Sequence, residues 1–250
     1  MHYLNSSLNI SEIIKKINND SYVIIKNYFT DEEIINLQKY IQQDVAKRPK
    51  GYKGTVGNDS FKDTPFELIE IKKKIINILE DIREKHFSIN SPNKDIYKVL
   101  RINTGIDESV NKPFMFHYDA YVISALIPLI IPNREDGLNG KFIISSRKRF
   151  FHKNFFLNLF EKALIQNPLT RMILKIKFIQ VLFNLQFINL IPGNLYLFNG
   201  YQSIHTVSKM GKDSLRATFL CHYSDPFYKN KFMKFLENIN KYRIRNRTKI

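Results

Sequence analysis

A succession of short apolar segments, each of strand length, fills residues 96–223 and is the feature that most constrains the fold. β-branched and aromatic residues dominate these segments, and Gly, Pro, Asn and Asp separate them, as is typical between β-strands. Many short strands with turns between them favour a sandwich or jelly roll. The predicted strands cover residues 96–102, 122–128, 141–145, 190–200 and 215–220.

The chain before this strand-rich part combines helices with one strand. Residues 22–29 are β-branched and aromatic, which predicts a strand. Thr30 and Glu33 form a Thr-x-x-Glu capping box, which predicts a helix to about Gln43. Helices are also predicted behind a Ser cap at residues 11–17 and over residues 64–86, and a mobile loop with three glycines at residues 47–62.

No repeat, linker or compositional break divides the 250 residues, and 44% of them are apolar, which is enough for a substantial core. The sequence therefore predicts one domain. Its parts are an N-terminal support (1–95), a strand core (96–224) and a basic tail (225–250). Within the core, residues 150–184 switch to helical spacing, interrupted at Pro168, and predict a helical insertion.

Three potential metal ligands are spaced in a way that suits one ion. His117 and Asp119 are two residues apart on a predicted strand, so their side chains point to the same face. His205 comes from a predicted strand distant in sequence. Two imidazoles and one carboxylate on one face of an octahedral ion leave three positions open, as in non-haem iron(II) oxygenases. Taken singly, each residue also fits a structural role, so the pattern depends on the complete set.

With Arg216 eleven residues after His205, this pattern resembles that of the iron(II)/2-oxoglutarate-dependent dioxygenases. The resemblance covers roughly residues 96–223 and implies a double-stranded β-helix, a jelly-roll fold, with flanking helices. It implies that iron(II) binds to His117, Asp119 and His205, with 2-oxoglutarate and O₂ as cosubstrates. Halogenating relatives have a small residue in place of the Asp, so Asp119 implies hydroxylation.

The resemblance also suggests residues that contact the cosubstrate and the substrate. In the family, a basic residue at the position of Arg216 binds the distal carboxylate of 2-oxoglutarate, and Arg101 is the first alternative for this role. Thr218, on the same strand face as Arg216, resembles its usual hydroxyl partner. Tyr97, Arg101 and Asn103 on the preceding strand are candidates for substrate or cosubstrate contacts, with ordinary strand surface as the alternative.

The net charge of +16 and the sequence pI of about 9.7 favour an anionic partner. Much of the excess lies in residues 141–185, with nine basic residues and one acid, and in residues 229–250, with eight and one. In the insertion, these cations accompany apolar residues at helical spacing, which suits a helix in a membrane interface as well as a helix packed on the barrel. We therefore expect an anionic membrane surface as a partner, with proteome bias in the basic composition as the alternative.

The substrate class remains open between a small molecule and an anionic, lipid-linked sugar. The opening strand and capped helix resemble the phytanoyl-CoA hydroxylase branch. The order of elements is compatible with relatives that hydroxylate Kdo, the sugar acid at the base of lipopolysaccharide. The alternative function is a non-enzymatic jelly-roll protein that binds membrane or nucleic acid through its basic segments. A nucleic-acid demethylase is less favoured, because no recognition motif accompanies the charge.

The targeting signals and the cysteine usage suggest the compartment. The N-terminus has no basic start followed by an apolar core, so no signal peptide is expected. The lone Cys221 rules out an internal disulfide and is typical of a reducing compartment. We expect a cytoplasmic protein, attached peripherally to the inner membrane face.

Overall fold

The computed structural model describes residues 3–4, 9–47, 51–68, 71–87, 96–104, 113–230, 235 and 239. The strands are β1 (Tyr3–Leu4), β2 (Tyr22–Ile25), β3 (Tyr52–Val56), β4 (Ile96–Thr104), β5 (Ile123–Ile130), β6 (Phe142–Lys148), β7 (Leu185–Ile188), β8 (Leu195–Phe198), β9 (Ser203–Val207) and β10 (Leu215–Tyr223). The α-helices are α1 (Ile10–Asp20), α2 (Asp31–Ala46), α3 (Pro65–Leu68), α4 (Ile71–Ile82), α5 (Phe155–Gln166), α6 (Pro168–Ile173) and α7 (Lys177–Leu182). A 3₁₀-helix covers Asn58–Phe61 and a π-helical turn covers Arg83–Phe87.

The strands form two sheets. The larger has seven strands in the order β1-β2-β8-β5-β10-β4-β3, and the smaller has three in the order β7-β6-β9. Neighbouring strands are antiparallel, except for the parallel pair β1 and β2. The order of strands in the sheets differs from their order along the chain, as in a jelly roll.

Both faces of the seven-stranded sheet are covered, which explains why its central strands are apolar along their length. Successive residues of a strand point to opposite faces. In β5, Ile127 packs toward the N-terminal helices, whereas Leu126 belongs to the layer between the sheets. Ile17 of α1, Leu37 of α2 and Leu79 of α4 cover the helical side. The fold is a double-stranded β-helix with flanking helices, as predicted.

The N-terminal helices form largely where local signals place them. The capping box is present, because the Thr30 side chain accepts from the Glu33 N–H and the Glu33 carboxylate accepts from the Thr30 N–H. Helix α1, however, begins one residue earlier than predicted. Its cap is Asn9, whose side chain accepts from the Ser11 N–H, and not a serine.

One prediction for the N-terminal part was wrong in detail. The loop expected at residues 47–62 contains strand β3, which pairs antiparallel with β4. Pairing along the edge of the sheet supplies the hydrogen bonds that the glycine-rich sequence does not predict by itself. The helix expected over residues 64–86 is helical where the structure describes it, in α3, α4 and the π-helical turn, and residues 69–70 lie outside the described ranges.

The helical insertion lies between β6 and β7 and consists of α5, α6 and α7. Asn154 caps α5, and Asn167 caps α6 by accepting from the Leu169 N–H. Pro168 is the first residue of α6, where its missing N–H breaks no helical hydrogen bond. The predicted interruption at Pro168 is therefore a boundary between two capped helices.

The basic tail predicted at residues 225–250 lies outside the described ranges from residue 231 onwards, apart from Phe235 and Ile239. Within the described residues, none of the helices has the length and apolar content needed to cross a bilayer.

Candidate metal centre

His117 and His205 are brought together by the backbone. Each donates its N–H to the carbonyl oxygen of the other, at 3.1 Å in both directions. Residues that exchange both hydrogen bonds in an antiparallel pair have side chains on the same side of the ladder. The two imidazole rings accordingly lie 4.3 Å apart between centroids.

The segment that carries His117 and Asp119 is not the strand predicted from the sequence. Residues 113–122 are irregular apart from the single bridge at His117, and β5 begins only at Ile123. Asp119 instead donates its N–H to the Gly200 carbonyl at 2.8 Å, so this segment is held by isolated contacts to the β8–β9 connection and β9. The side chains of His117 and Asp119 nevertheless point toward the same position, because each backbone contact orients its own residue.

The three predicted ligands form one group. His117 Nε2 lies 3.7 Å and His205 Nε2 lies 3.4 Å from Asp119 Oδ1. Every pair of the three ligand atoms is within 4.8 Å. Among the described residues, this is the group of His, Cys, Asp and Glu side chains with the geometry to hold a metal ion.

The imidazoles present their lone pairs toward the carboxylate. His117 Nδ1 lies 2.8 Å from the Met115 carbonyl oxygen, and His205 Nδ1 lies 3.0 Å from that of Ser203. A carbonyl can only accept, so each Nδ1 carries the proton and each Nε2 is free to coordinate. Backbone carbonyls often orient metal-binding histidines in this way. Two lone pairs facing a carboxylate oxygen are stabilised by a cation, so the donor set fits a metal ion.

Burial keeps the imidazole of His117 in its neutral, metal-binding form. Burial, together with the nearby His205, lowers the pKa of His117 to about 3. Burial alone would raise the pKa of Asp119, but the neighbouring His205 and His222 outweigh it and hold that pKa well below its usual value. At neutral pH the site therefore combines neutral imidazole with an ionised carboxylate.

The second oxygen of Asp119 is held by residues that the sequence did not identify. Ser124 Oγ donates to Asp119 Oδ2 at 3.0 Å and accepts from His222 Nδ1 at 2.7 Å. Ser124 and His222 are opposite each other in the β5–β10 register. Burial lowers the pKa of His222 to about 4. His222, which was not favoured as a metal ligand, lies on the Oδ2 side of Asp119 and supports it through Ser124.

A cavity of about 290 Å³ opens beside this group, and most of the predicted site residues line it. Alternate residues of β10 face it, as expected for one face of a strand. The predicted residues among its lining are His117, Asp119, His205, Arg216, Thr218, Arg101 and Asn103.

Tyr97 is placed differently from the prediction. It is not among the residues that line the cavity. Its ring stacks on Tyr121 at 5.5 Å between centroids, and Tyr121 in turn stacks on His222 at 5.4 Å. Tyr52 takes a place in the lining instead, because β3 pairs Tyr52 with Asn103 at the edge of the sheet. The only sequence signal for Tyr52 was that Tyr52, Gly54 and Val56 alternate with polar residues, as on one face of a strand.

The wall made by β4 and β10 has polar groups without partners. Arg216 is opposite Asn103, and Thr218 is opposite Arg101. Among the described residues, the buried Arg216 Nε and Asn103 Oδ1 have no hydrogen-bond partner. Burial and the nearby Arg101 lower the pKa of Arg216 to about 10, so its guanidinium is charged at neutral pH. A bound ligand could supply the hydrogen-bond partners that these buried polar atoms lack.

Known proteins resemble this chain in structure and not in sequence. No family model matches the chain, and no curated protein matches it either. A Pseudomonas putida prolyl-4-hydroxylase superposes with a TM-score of 0.54 at 10% identity, over 86% of this chain and 98% of that one. A putative oxygenase from Shewanella oneidensis superposes with a TM-score of 0.56 at 8% identity, over 96% and 99%.

A third similar structure contains ligands. The epimerase SnoN from nogalamycin biosynthesis, in complex with Fe³⁺, α-ketoglutarate and nogalamycin RO, superposes with a TM-score of 0.57 at 10% identity, over 86% of this chain and 83% of that one. At these identities the likeness establishes the fold. The chain shares the double-stranded β-helix of non-haem iron, α-ketoglutarate-dependent enzymes.

Proposed function

We propose that the protein is an iron(II)- and 2-oxoglutarate-dependent oxygenase that hydroxylates an aliphatic C–H bond of an anionic substrate. One observation carries the proposal: a single cavity combines a His–Asp–His donor set with an arginine whose buried Nε has no partner among the described residues. This donor set suits non-haem iron(II) with open positions. The non-enzymatic jelly-roll alternative is not favoured, since it has no need of a complete donor set.

Different residues of the chain would bind iron(II) and 2-oxoglutarate. His117, His205 and Asp119 would hold iron(II) through Nε2, Nε2 and Oδ1, while Ser124 keeps Asp119 Oδ2 turned away. The Arg216 guanidinium offers a planar fork to the distal carboxylate of 2-oxoglutarate, beside the Thr218 hydroxyl. When bound, iron(II) and 2-oxoglutarate would activate O₂ for C–H hydroxylation, with succinate and CO₂ as coproducts. The apolar residues of the lining, such as Leu126, Phe142 and Phe198, limit water around the reacting groups.

The charges of the cavity support an anionic substrate. Arg101 and Arg216 both line it, and Asp119 is the acidic residue among the lining. Two guanidiniums and iron(II) bring four positive charges, whereas Asp119 and dianionic 2-oxoglutarate bring three negative ones. A buried charge without a counter-charge is costly, so the remaining positive charge favours a substrate with a carboxylate or phosphate. We assign Arg101, with Asn103 beside it, to that group.

An anionic glycolipid or sugar acid would fit these charges. Kdo has a carboxylate, and a small-molecule carboxylate fits equally well. The resemblance of the sequence to phytanoyl-CoA hydroxylases and to Kdo hydroxylases stays a prediction.

Anaerobic titration with iron(II) and 2-oxoglutarate tests the proposed cofactors. We expect the weak visible charge-transfer absorption of the chelate in the wild-type protein and none in His205→Ala, which removes a ligand. His222→Gln is the matched control, because it removes a buried histidine that supports Asp119 through Ser124 and is not a proposed ligand. It should weaken iron binding by about tenfold without abolishing it. A His205→Ala protein that binds iron and 2-oxoglutarate as the wild type does would refute the proposal.

A second titration should distinguish the role of Arg216 from that of Arg101. Arg216→Gln leaves the distal carboxylate without its partner, at a cost of about 1.5–3 kcal/mol. We therefore expect the dissociation constant for 2-oxoglutarate to rise tenfold or more, with iron affinity near normal. Arg101→Gln should change that constant by less than about threefold. The opposite pattern would assign the cosubstrate to Arg101.

A further inference from the structure

The helical insertion has an outer surface that is unusually apolar. Among the described residues, 17 large apolar side chains are exposed, and 14 of them lie at residues 150–191. Phe178 and Val181 are 73% and 77% exposed. We call these 14 side chains the apolar face: Phe150, Phe156, Leu157, Phe160, Leu164, Leu169, Met172, Ile173, Ile176, Phe178, Val181, Leu182, Phe187 and Ile191.

The insertion is apolar on its inner side as well. Ile165, Leu174, Ile179 and Phe183 pack on a cluster that includes Phe116, next to the metal ligand His117. Helices that are apolar all round are normally buried on every side. Here the inner side is satisfied by the protein, so the apolar face requires a partner of its own.

The charges around the apolar face indicate an anionic partner. Arg147, Lys153, Lys175 and Lys177 are exposed in and beside the insertion. The one acidic residue of this segment, Glu161, is neutralised by Arg149 and lies beside His152, at 3.1 and 3.0 Å. The exposed charges are therefore cationic. Lysine is depleted at protein interfaces, whereas phenylalanine and leucine beside lysine and arginine are typical of helices at a lipid surface.

We propose that the apolar face docks on an anionic lipid bilayer. Helices α5, α6 and α7 have 12, 6 and 6 residues, too short to span a bilayer and suited to lying in its interface. The apolar side chains enter the acyl boundary, and the lysines contact the headgroups. The insertion also contacts the cavity wall, because Arg171 Nη1 on α6 lies 3.3 Å from the sulfur of Met115, which lines the cavity. This inference does not depend on the proposed chemistry.

Vesicle flotation of the full chain tests the proposal, with phosphatidylcholine vesicles that contain or lack phosphatidylglycerol. We expect the wild type to float with the anionic vesicles at low salt and to dissociate at high salt. Phe178→Ser/Val181→Ser removes two apolar contacts, and Lys175→Glu/Lys177→Glu reverses two charges. Each pair should lower the partition coefficient at least about tenfold.

Matched controls come from α2 and α1. Ile35→Ser removes an apolar side chain that is 46% exposed outside the insertion, and Lys15→Glu/Lys39→Glu reverses two exposed charges there. Both should float as the wild type does. All variants should keep the circular dichroism and the thermal unfolding midpoint of the wild type, which shows that they fold.

Three results would overturn the proposal. The first is a wild type that floats with neither vesicle, and the second is a Phe178→Ser/Val181→Ser variant that floats as the wild type does. The third is a wild-type dimer in sedimentation, abolished by the same variant and without lipid binding, which would assign the apolar face to a second copy of the chain.

Discussion

Asp119 is the residue on which the candidate site converges. One carboxylate oxygen faces two imidazole nitrogens, and the other accepts from Ser124 Oγ. Gly200 lies directly against it, since a Cβ at that position would overlap Asp119 Oδ2 and would be 2.8 Å from Asp119 Cγ. The absence of a side chain at Gly200 is therefore a requirement for the position of the carboxylate.

Gly200→Ala should displace the Asp119 carboxylate and lower iron affinity on the order of 100-fold, as loss of ligand orientation does. Gly137→Ala is the control. Its Cβ would meet nothing within 4 Å, but its φ of +72° strains an alanine by about 1–2 kcal/mol. That variant should lose stability and keep its iron affinity. Competition with a coloured chelator measures both affinities, and equal affinities would exclude the steric role of Gly200.

Among the elements, the insertion is attached to the segment of His117 and Asp119 through Arg149. Its guanidinium donates to Asn158 Oδ1 at 2.6 Å and to Glu161 Oε2 at 3.1 Å, both on α5. It also lies 4.1 Å from the centre of the ring of Tyr118, the residue between these two candidate ligands in the sequence. One side chain, 5% exposed, thus connects α5 with the candidate site.

Arg149→Met should lower the free energy of unfolding by about 3 kcal/mol, because it leaves the buried Asn158 amide oxygen without its donor and removes one of the two partners of Glu161. Arg134→Met breaks the exposed pair with Asp136, which solvent screens, and should lower the free energy of unfolding far less. Urea denaturation of both variants gives the comparison. Equal losses would mean that Arg149 contributes no more than a surface pair.

For the whole molecule, folding buries imidazoles in their neutral form. Burial lowers the pKa of His117 to about 3 and that of His222 to about 4, from 6.5. Between about pH 4 and 6.5 the unfolded chain therefore binds protons that the folded chain does not. This contribution to stability is complete above pH 6.5 and is lost as the pH falls.

The chelator-treated protein should lose stability between pH 6.5 and 4, with a slope of up to about 1.4 kcal/mol per pH unit for each of these imidazoles. His222→Gln removes one of them and should reduce the slope by that amount. Urea denaturation at pH 7, 6 and 5 measures it. A slope that is the same with and without His222 would contradict the assignment of a neutral buried imidazole.

Features that depend on neighbours along the chain could be predicted from the sequence alone. The capping box at Thr30, the break at Pro168 and the apolar strands follow from hydrogen bonds and spacing within a few residues. The candidate metal ligands could also be predicted, because His117, Asp119 and His205 follow the ligand order of the family that the sequence resembles. The jelly-roll class followed from the number and length of the strands.

Features that depend on register and on contacts between distant segments could be recognised only in the folded chain. The bridge between His117 and His205, the pairing of Ser124 with His222 and the contact of Gly200 with Asp119 each join residues far apart in sequence. Register is set by long-range hydrogen bonds and by packing on both faces of the sheet, and neither leaves a local signal. The same reason separates the inner from the outer side chains of the insertion: both are apolar in sequence, and only packing on the barrel shows which remain exposed.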